Sequence, residues 1–587
     1  MKKVLIMSIA ITMFCFLAVS CDDNTKEETD ETNTDKDEVS DEVSDETSDE
    51  VSDEVSDEVS DEVSDDDSGD CPVTVPVEHD GEEITSATEW SGIHLIKGTL
   101  WVNAPLTMDK CTTILMDANS RISVSEGGSI KVEGTVDNIV PFLSAKAVPA
   151  AGDWNGIEIK NSASSGNSFK FASFSHGGKS DYGVIWVDGE AEVAIDDCDF
   201  INIDNYGVMF DNGAKINSFT GNSFTAIGTY PVFVGANAVP ALSPIVTDDA
   251  TDRIFVQAED IEDAGTWKNL SIGYEVEYLY VHKPVTIEPG TTIYMPQNSH
   301  ITLSDGGSFI AKGTETAPIV FTSAKPAPAM GDWKGFTVKS TSSNDTAFEY
   351  VNFEFGGNGD YGVIWVDGEA SVSIDNCKFT DIEGYGVIFD NEAEIKSFTG
   401  NEFSNIDTYP VMVGANAVPD LSPIVTDDAT DRIFVQAEDI EKAGTWKNLS
   451  VGYEIEYLYV RKPIEIEAGV TLFLKENAHI NVKDGGALKL SGTETAHVTI
   501  TSYKDAPSAG DWNDIEIYKS SSDANVFTYA DIKYGGNNDY GQLWVESEAK
   551  ITLSNVVFSN GKDCDITNDD GAAVITDNGS TYTTCPE

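Results

Sequence analysis

An all-β solenoid, in which short strands stack coil upon coil into parallel sheets, is what the sequence predicts. Three observations carry that prediction. First, the triplet Gly-Asp-Trp begins at Gly152, Gly331 and Gly510, Asp-Tyr-Gly at Asp181, Asp360 and Asp539, and Gly-Thr at Gly134, Gly313 and Gly492, so every series steps by 179 residues. Second, a shorter period nests inside: Tyr182, Tyr206 and Tyr230 are 24 apart, as are Tyr361, Tyr385 and Tyr409. A short period of this size marks coils that stack on one another. Third, the repeated phrases, such as Tyr182-Gly-Val-Ile-Trp, are β-branched and aromatic and bounded by Gly, Asn and Asp. No sustained helical periodicity follows residue 22.

The coils can be aligned by their 24-residue step. Val184, Val208 and Val232 then share one position, and Met209 and Phe233 share the next. Alternation along a strand sends one set inward and the other outward. At ~24 residues per coil and roughly 4.8 Å per strand, residues 75–587 make about 21 coils and a rod on the order of 100 Å. The repeat divides that region into units 71–253, 254–432 and 433–587, the last truncated.

Two longer phrases carry a family resemblance. One is Gly313-Thr-Glu-Thr-Ala-Pro-Ile-Val-Phe-Thr-Ser, followed by Gly331-Asp-Trp-Lys-Gly-Phe. The other is Gly444-Thr-Trp-Lys-Asn-Leu-Ser, with Pro463-Ile-Glu-Ile-Glu-Ala-Gly after it. Through them, residues 75–587 resemble the bacterial right-handed parallel β-helix repeat proteins of the pectin-lyase-like superfamily. The resemblance implies a right-handed coil. It leaves function open, because polysaccharide-degrading enzymes, adhesins and other surface proteins share that fold.

The N-terminus reads as an export device. Lys2 and Lys3 precede a mostly apolar stretch from Val4 to Val19, the pattern of a signal segment over residues 1–20. Leu17-Ala-Val-Ser-Cys21 resembles a bacterial lipobox, which makes Cys21 the lipid-bearing residue, although Ala18 stands where that pattern usually has Leu. Residues 21–70 read as a disordered acidic tether. From 22 to 70 the chain carries 25 acids against Lys26 and Lys36, and seven tetrapeptides of the Asp-Glu-Val-Ser type run from Asp37 to Ser64. Such a segment buries too little apolar area to fold, and its charges repel. The expected location is the bacterial cell envelope, on the outer membrane or cell surface or facing the periplasm, with the membrane as a partner through the lipid. The formal net charge of −67 excludes nucleic acid as a partner. It leaves cations, neutral glycans and basic surfaces.

Six cysteines follow Cys21. Cys198 and Cys377 are 179 apart and read as small buried residues, with Asn222 at the same place one coil later. Cys71, Cys111, Cys564 and Cys585 stand near the two ends of the folded region, where a solenoid's core is exposed. The expected disulfides are Cys71–Cys111 and Cys564–Cys585, which export permits.

Candidate site residues fall into three groups. Asp248, Asp249 and Asp252, with Arg253, recur as Asp427, Asp428 and Asp431, with Arg432. Clustered carboxylates beside an Arg suit a Ca²⁺ site, or the metal-assisted chemistry of a lyase. A solvated acidic turn is the favoured explanation, because the surrounding phrase is nearly identical in both copies, as recent duplication leaves it. No other cofactor is implied. Trp154, Trp333 and Trp512, each preceded by Asp, suit stacking on sugar rings, and Trp186, Trp365 and Trp544 recur as well. A structural turn is the competing explanation for the Gly-Asp-Trp phrase. His176 is Phe355 and Tyr534 in the copies, which reads as an aromatic slot and not a proton-transfer site. No zinc-binding His pair, Gly-x-Ser-x-Gly or phosphate-binding loop is present. The chemistry therefore favours a non-enzymatic binding or adhesion module for polysaccharide or a surface protein, acting through repeated weak contacts along the coils. A Ca²⁺-dependent polysaccharide lyase or glycoside hydrolase is the alternative, and a structural spacer the third.

Overall fold

The computed structural model describes residues 71, 74–179, 182–358 and 362–586. The signal segment, Cys21 and the acidic tether lie outside these residues, as do Asp181, Asp360 and Tyr361. Each coil carries three short strands. Gly183–Val187, Glu192–Asp196 and Asp199–Ile203 make one coil, and Tyr206–Phe210 opens the next. Every strand ladder among the described residues is parallel and joins neighbouring coils. The result is a three-faced parallel β-helix. Among the described residues no helix is long and apolar enough to cross a membrane.

Alternation fills the interior. In Gly183–Val187 the side chains of Ile185 and Val187 are buried, while Trp186 between them is half-buried and outward. Identical inward positions form ladders. Phe142, Phe174, Phe200 and Phe224 stack at 4.8, 5.1 and 4.8 Å between ring centres. Their counterparts Phe321, Phe353, Phe379 and Phe403 stack at 5.6, 5.0 and 4.8 Å. A buried Asn beside Cys198 closes one corner. Asn222 Nδ2 donates to Ile195 O, and its Oδ1 accepts from Cys198 N–H. Cys198 and Cys377 are free and buried, and burial pushes both thiols up to about 12. At the ends, Cys71 is joined to Cys111 and Cys564 to Cys585.

Among the aligned Tyr phrases of unit 1, the register differs from the 24-residue alignment at the first step. Gly183, not Tyr182, pairs with Tyr206, and Ile185, not Val184, pairs with Val208 and thence Val232. That coil is one residue shorter, and a slip of one residue exchanges the two faces of a strand. Tyr182 therefore leaves the column formed by Tyr206 and Tyr230. It stacks instead on Trp186, at 4.3 Å.

The 179-residue unit is not a whole number of turns. On the face that holds Gly183–Val187, successive coils add Tyr206–Phe210, Val232–Gly235, Arg253–Gln257, Gly273–Val276, Thr292–Met295, Ile319–Ser323 and Val351–Glu354. That is seven steps. The counterpart of Gly183–Val187, the strand Gly362–Val366, comes one strand later, on the next face. The unit thus spans seven turns and about a third, and equivalent residues of successive units look out in different directions around the axis.

Candidate functional site

Trp154, Trp333 and Trp512 are fully buried. Each indole Nε1 donates to a backbone carbonyl of the next coil, Ser175, Glu354 and Lys533, at 2.8–2.9 Å. The rings lie flat against Gly177, Gly356 and Gly535, where a Cβ would come within 2.6–2.8 Å of them. None offers a face to a sugar, so the glycan contact expected of these three is corrected: they are corner pins. The preceding acids complete the corner. Asp153 accepts from Lys146 Nζ at 2.5 Å, Ser144 Oγ at 2.6 Å and Ala150 N–H at 2.9 Å. Burial opposes its ionisation, but these three donors prevail and hold the carboxyl down at about 2. Asp332 and Asp511 keep the same Lys and Ser, Lys325 with Ser323 and Lys504 with Ser502. His176 and its counterparts Phe355 and Tyr534 adopt a left-handed backbone just after the strand at this corner, with φ of 63°, 62° and 67°. Their carbonyls accept the N–H of Asp153, Asp332 and Asp511, which is a structural duty.

The carboxylates of the acidic turns are engaged mainly by their own chain. Asp248 caps Ala226 N–H, and Asp249 binds the N–H and hydroxyl of Thr251 within its own turn. Burial raises the Asp252 carboxyl above its ordinary value. In the copy, Asp427 binds Ser404 and Asn405, Asp428 binds Thr430, and burial likewise raises Asp431. The carboxylates of each turn do not gather within ligand distance of one another. Arg253 is equally committed. It binds Glu275 at 2.9 Å and the Ala324 carbonyl at 3.2 Å, and lies 3.7 Å over the Tyr294 ring. Arg432 repeats this with Glu454, the Tyr503 carbonyl and Phe473.

A recurrent exposed feature lies on the outer side of the strand that follows each Trp corner. In unit 1 an outward row runs Trp101, Ser123, Glu158, Trp186 across four stacked strands. In unit 2 it runs Tyr280, Thr302, Thr337, Trp365. In unit 3 it runs Tyr459, Asn481, Glu516, Trp544. Each row is a trough with an aromatic wall at either end, about 14 Å apart over three strand steps, and a short or polar floor. Tyr182 and Tyr540 thicken the Trp wall by stacking on it at 4.3 Å.

The walls recur while the floors diverge. In trough 1, Glu158 is held by Ser123 Oγ at 3.1 Å and lies between Arg121 and Lys160, and a cavity of only about 10 Å³ is left at the Trp186 end, between Arg121, Glu158, Tyr182 and Trp186. In trough 2, Thr337 replaces that Glu, and a cavity of about 400 Å³ opens between Tyr280, His300, Lys334, Lys339 and Trp365. Trough 3 carries Asp514 and Glu516 where unit 1 has Gly156 and Glu158 and unit 2 has Gly335 and Thr337. Both acids are buried. Desolvation, with Asp514 and Glu546 adding repulsion, pushes the Glu516 carboxyl up to about 7. Asp514 is also raised by burial, against a hydrogen bond from Asn538 at 2.8 Å. Asn481 Oδ1, in the same row, is buried without a partner among the described residues.

This geometry defines a class, a parallel β-helix of the pectin-lyase-like kind with outward troughs on its faces. The family described as the pectate-lyase like beta helix domain matches residues 274–398, which contain every residue of trough 2. No curated protein and no solved structure matches the chain. Sequence reasoning had singled out Trp186, Trp365 and Trp544. It missed their opposite walls Trp101, Tyr280 and Tyr459, each 85 residues upstream, because intervening coils of unequal length hide the pairing.

Proposed function

We propose that the chain is an exported, lipid-anchored glycan-binding protein whose outward troughs each seat a short stretch of polysaccharide. The observation that carries this reading is trough 2. Aromatic walls formed by Tyr280 and Trp365 flank a cavity of about 400 Å³, floored by Thr302 and Thr337 and edged by Lys334, Lys339 and His300. Sites of this volume, mainly apolar with a few placed polar groups, suit a small-ligand segment. Because the basic edge stands in a chain of net charge −67, glycans bearing carboxylates or sulfates suit this trough best. The three troughs face different sides of the rod, so each engages its own strand of polysaccharide, and avidity comes from cross-linking a network. The lipid on Cys21 and the acidic tether supply the anchor and the reach.

Trough 3 favours a second reading, glycoside hydrolysis. A carboxyl held near 7 by burial keeps its proton in about half of the molecules at neutral pH and can donate it to a leaving glycosidic oxygen, while Asp514 on the same strand face takes the proton of an attacking water. One experiment separates the readings. Residues 71–587 are passed over immobilised neutral and acidic polysaccharides, and both retention and newly released reducing ends are recorded. Retention that weakens about tenfold or more in Trp365→Ala, without release, supports binding. Release that disappears in Glu516→Gln supports hydrolysis. Unchanged retention in Trp101→Ala, Trp365→Ala and Trp544→Ala alike rejects the trough as the site.

A further inference from the structure

Units 1 and 2 meet through a phrase that is repeated where units 2 and 3 meet. Residues 257–284 and 436–463 are aligned without a gap and differ at four positions only. Two differences are exchanges of Ile and Val, Ile272 for Val451 and Val276 for Ile455. The other two are Asp263 for Lys442 and His282 for Arg461, and both remove a positive charge from the first copy.

Those two positions belong to one cluster. In the second copy the Arg461 guanidinium sits among three carboxylates. Its Nε lies 3.0 Å from Asp439 and 3.6 Å from Glu441, and its Nη1 binds Asp484. The cation there spans consecutive coils, because Asp439 pairs with Tyr459 in the neighbouring strand. In the first copy the same carboxylates are present as Asp260, Glu262 and Asp305, but the guanidinium is replaced by the imidazole of His282. His282 Nδ1 lies 2.8 Å from Glu262 Oε1, and one ligand atom from each of Asp260, Glu262 and His282 falls within 4.8 Å of the others.

The turn that bears the acids is preset. Asn237 Oδ1 accepts the N–H groups of Glu262 and Asp263 at 3.0 and 3.1 Å, and its Nδ2 donates to Asp260 O at 2.9 Å. Asn416 holds the second copy in the same way. The backbone that positions the carboxylates is therefore common to both copies, and what differs is the charge that compensates them. A permanent cation fills the second cluster. The first keeps its acids, gains Asp263, and offers an imidazole nitrogen in place of the guanidinium.

We propose that Asp260, Glu262 and His282 form a binding site for a divalent transition-metal ion of the Zn²⁺ class, which clamps consecutive coils at the first unit junction as Arg461 clamps them at the second. The donor set selects the ion. Two carboxylates with an imidazole suit Zn²⁺, Ni²⁺ or Cu²⁺, whereas Ca²⁺ and Mg²⁺ take oxygen ligands. Small rotations of the exposed acid side chains bring the three donors to coordination distance, and solvent completes the shell. The ion supplies to the first junction the positive charge that its sister carries in its own sequence.

The copies provide controls that are expected to fold, since each swap installs a side-chain set the chain already accommodates. Zn²⁺ is titrated calorimetrically into the full chain in the presence of excess Ca²⁺, which occupies oxygen-only sites along the acidic segment. The unaltered chain is expected to take one Zn²⁺ more tightly than its background. Asp263→Lys with His282→Arg abolishes that site, and Lys442→Asp with Arg461→His raises the count to two. The same series is followed by thermal unfolding, where Zn²⁺ raises the transition of the unaltered chain but not of the Asp263→Lys, His282→Arg form. A count that is unchanged in both double variants, or tight Zn²⁺ that excess Ca²⁺ displaces, overturns the proposal.

Discussion

The Trp corner and the outer trough are neighbours in every unit, separated by a single residue along the chain. Trp154 pins the corner, and Gly156–Ile159 begins directly after it as a strand of the trough floor. The corner is kept alike in all three units: Trp on glycine, and Asp beneath Lys and Ser. The trough keeps its aromatic walls but changes its floor from Glu158 to Thr337 to the Asp514 and Glu516 pair. Burial explains the difference. A fully enclosed indole with one satisfied donor tolerates no change of volume, whereas a floor residue on the outer side of its strand does not pack into the core and is free to change with its neighbours in the row. Uniform residues in this repeat mark the coil, and the varied ones beside them are where the proposed ligand sites differ.

This contrast breaks most visibly at the corner. Trp333→Ala is expected to destabilise the helix by about 3–5 kcal/mol, the cost of a large buried cavity plus the orphaned Glu354 carbonyl. Chemical denaturation measures it, and the folded fraction should still bind glycan. Asp332→Ala is expected to cost about 2–3 kcal/mol, because Ser323 Oγ, Ala329 N–H and Lys325 lose one shared acceptor. The pH dependence follows from the direction of the shift. In unit 1, Asp153 is held at about 2, below its ordinary 3.8, so its contribution is complete above pH 4 and is lost as pH falls through 2.

Much of the fold could be read from spacing. Strands, coils and units follow from repeated phrases, and the cysteines that stand near each end are joined in pairs there. What spacing could not supply is how coils of unequal length fall into register. The steps from Trp101 to Ser123, Glu158 and Trp186 are 22, 35 and 28 residues, none of them 24, so the trough is invisible until the strands are stacked. The same irregularity displaces Tyr182 from its column and turns each unit by a third of a revolution. The Gly-Asp-Trp phrase misled in the opposite way. Trp beside Asp looks like a sugar site in one dimension, and burial decides otherwise.

Trough 3 yields a smaller effect with a distinctive sign. The Glu516 carboxyl is raised from 4.5 to about 7, so the folded chain holds a proton that the unfolded chain releases between those values. Stability that Glu516 permits below pH 4.5 is therefore lost as pH rises to 7, and is constant beyond. Glu516→Gln should match the unaltered chain near pH 4 and exceed it near pH 8 by about 1–2 kcal/mol once solvent screening is allowed for. Equal stabilities at pH 8 would show that the carboxyl ionises freely, and would remove the physical basis for an acid catalyst in that trough.

The smallest expected change in stability is also the one that tests function most directly. Trp365 is half-buried on the outer face, with the Lys339 ammonium 4.9 Å from its ring centre and Asp367 holding that ammonium at 2.9 Å. Trp365→Ala removes an outward ring and leaves the core beneath it, Ile364 and Val366, in place. The cost should be near 1 kcal/mol, set by the lost cation–π contact and exposed area, against the 3–5 kcal/mol expected at Trp333. If glycan retention falls at least tenfold in Trp365→Ala and survives in the folded fraction of Trp333→Ala, then of two Trp residues 32 apart in one unit, one builds the coil and the other reads the ligand. If both variants lose stability alike, the outer aromatic row serves packing between strands, and the diverged floors lose their functional explanation.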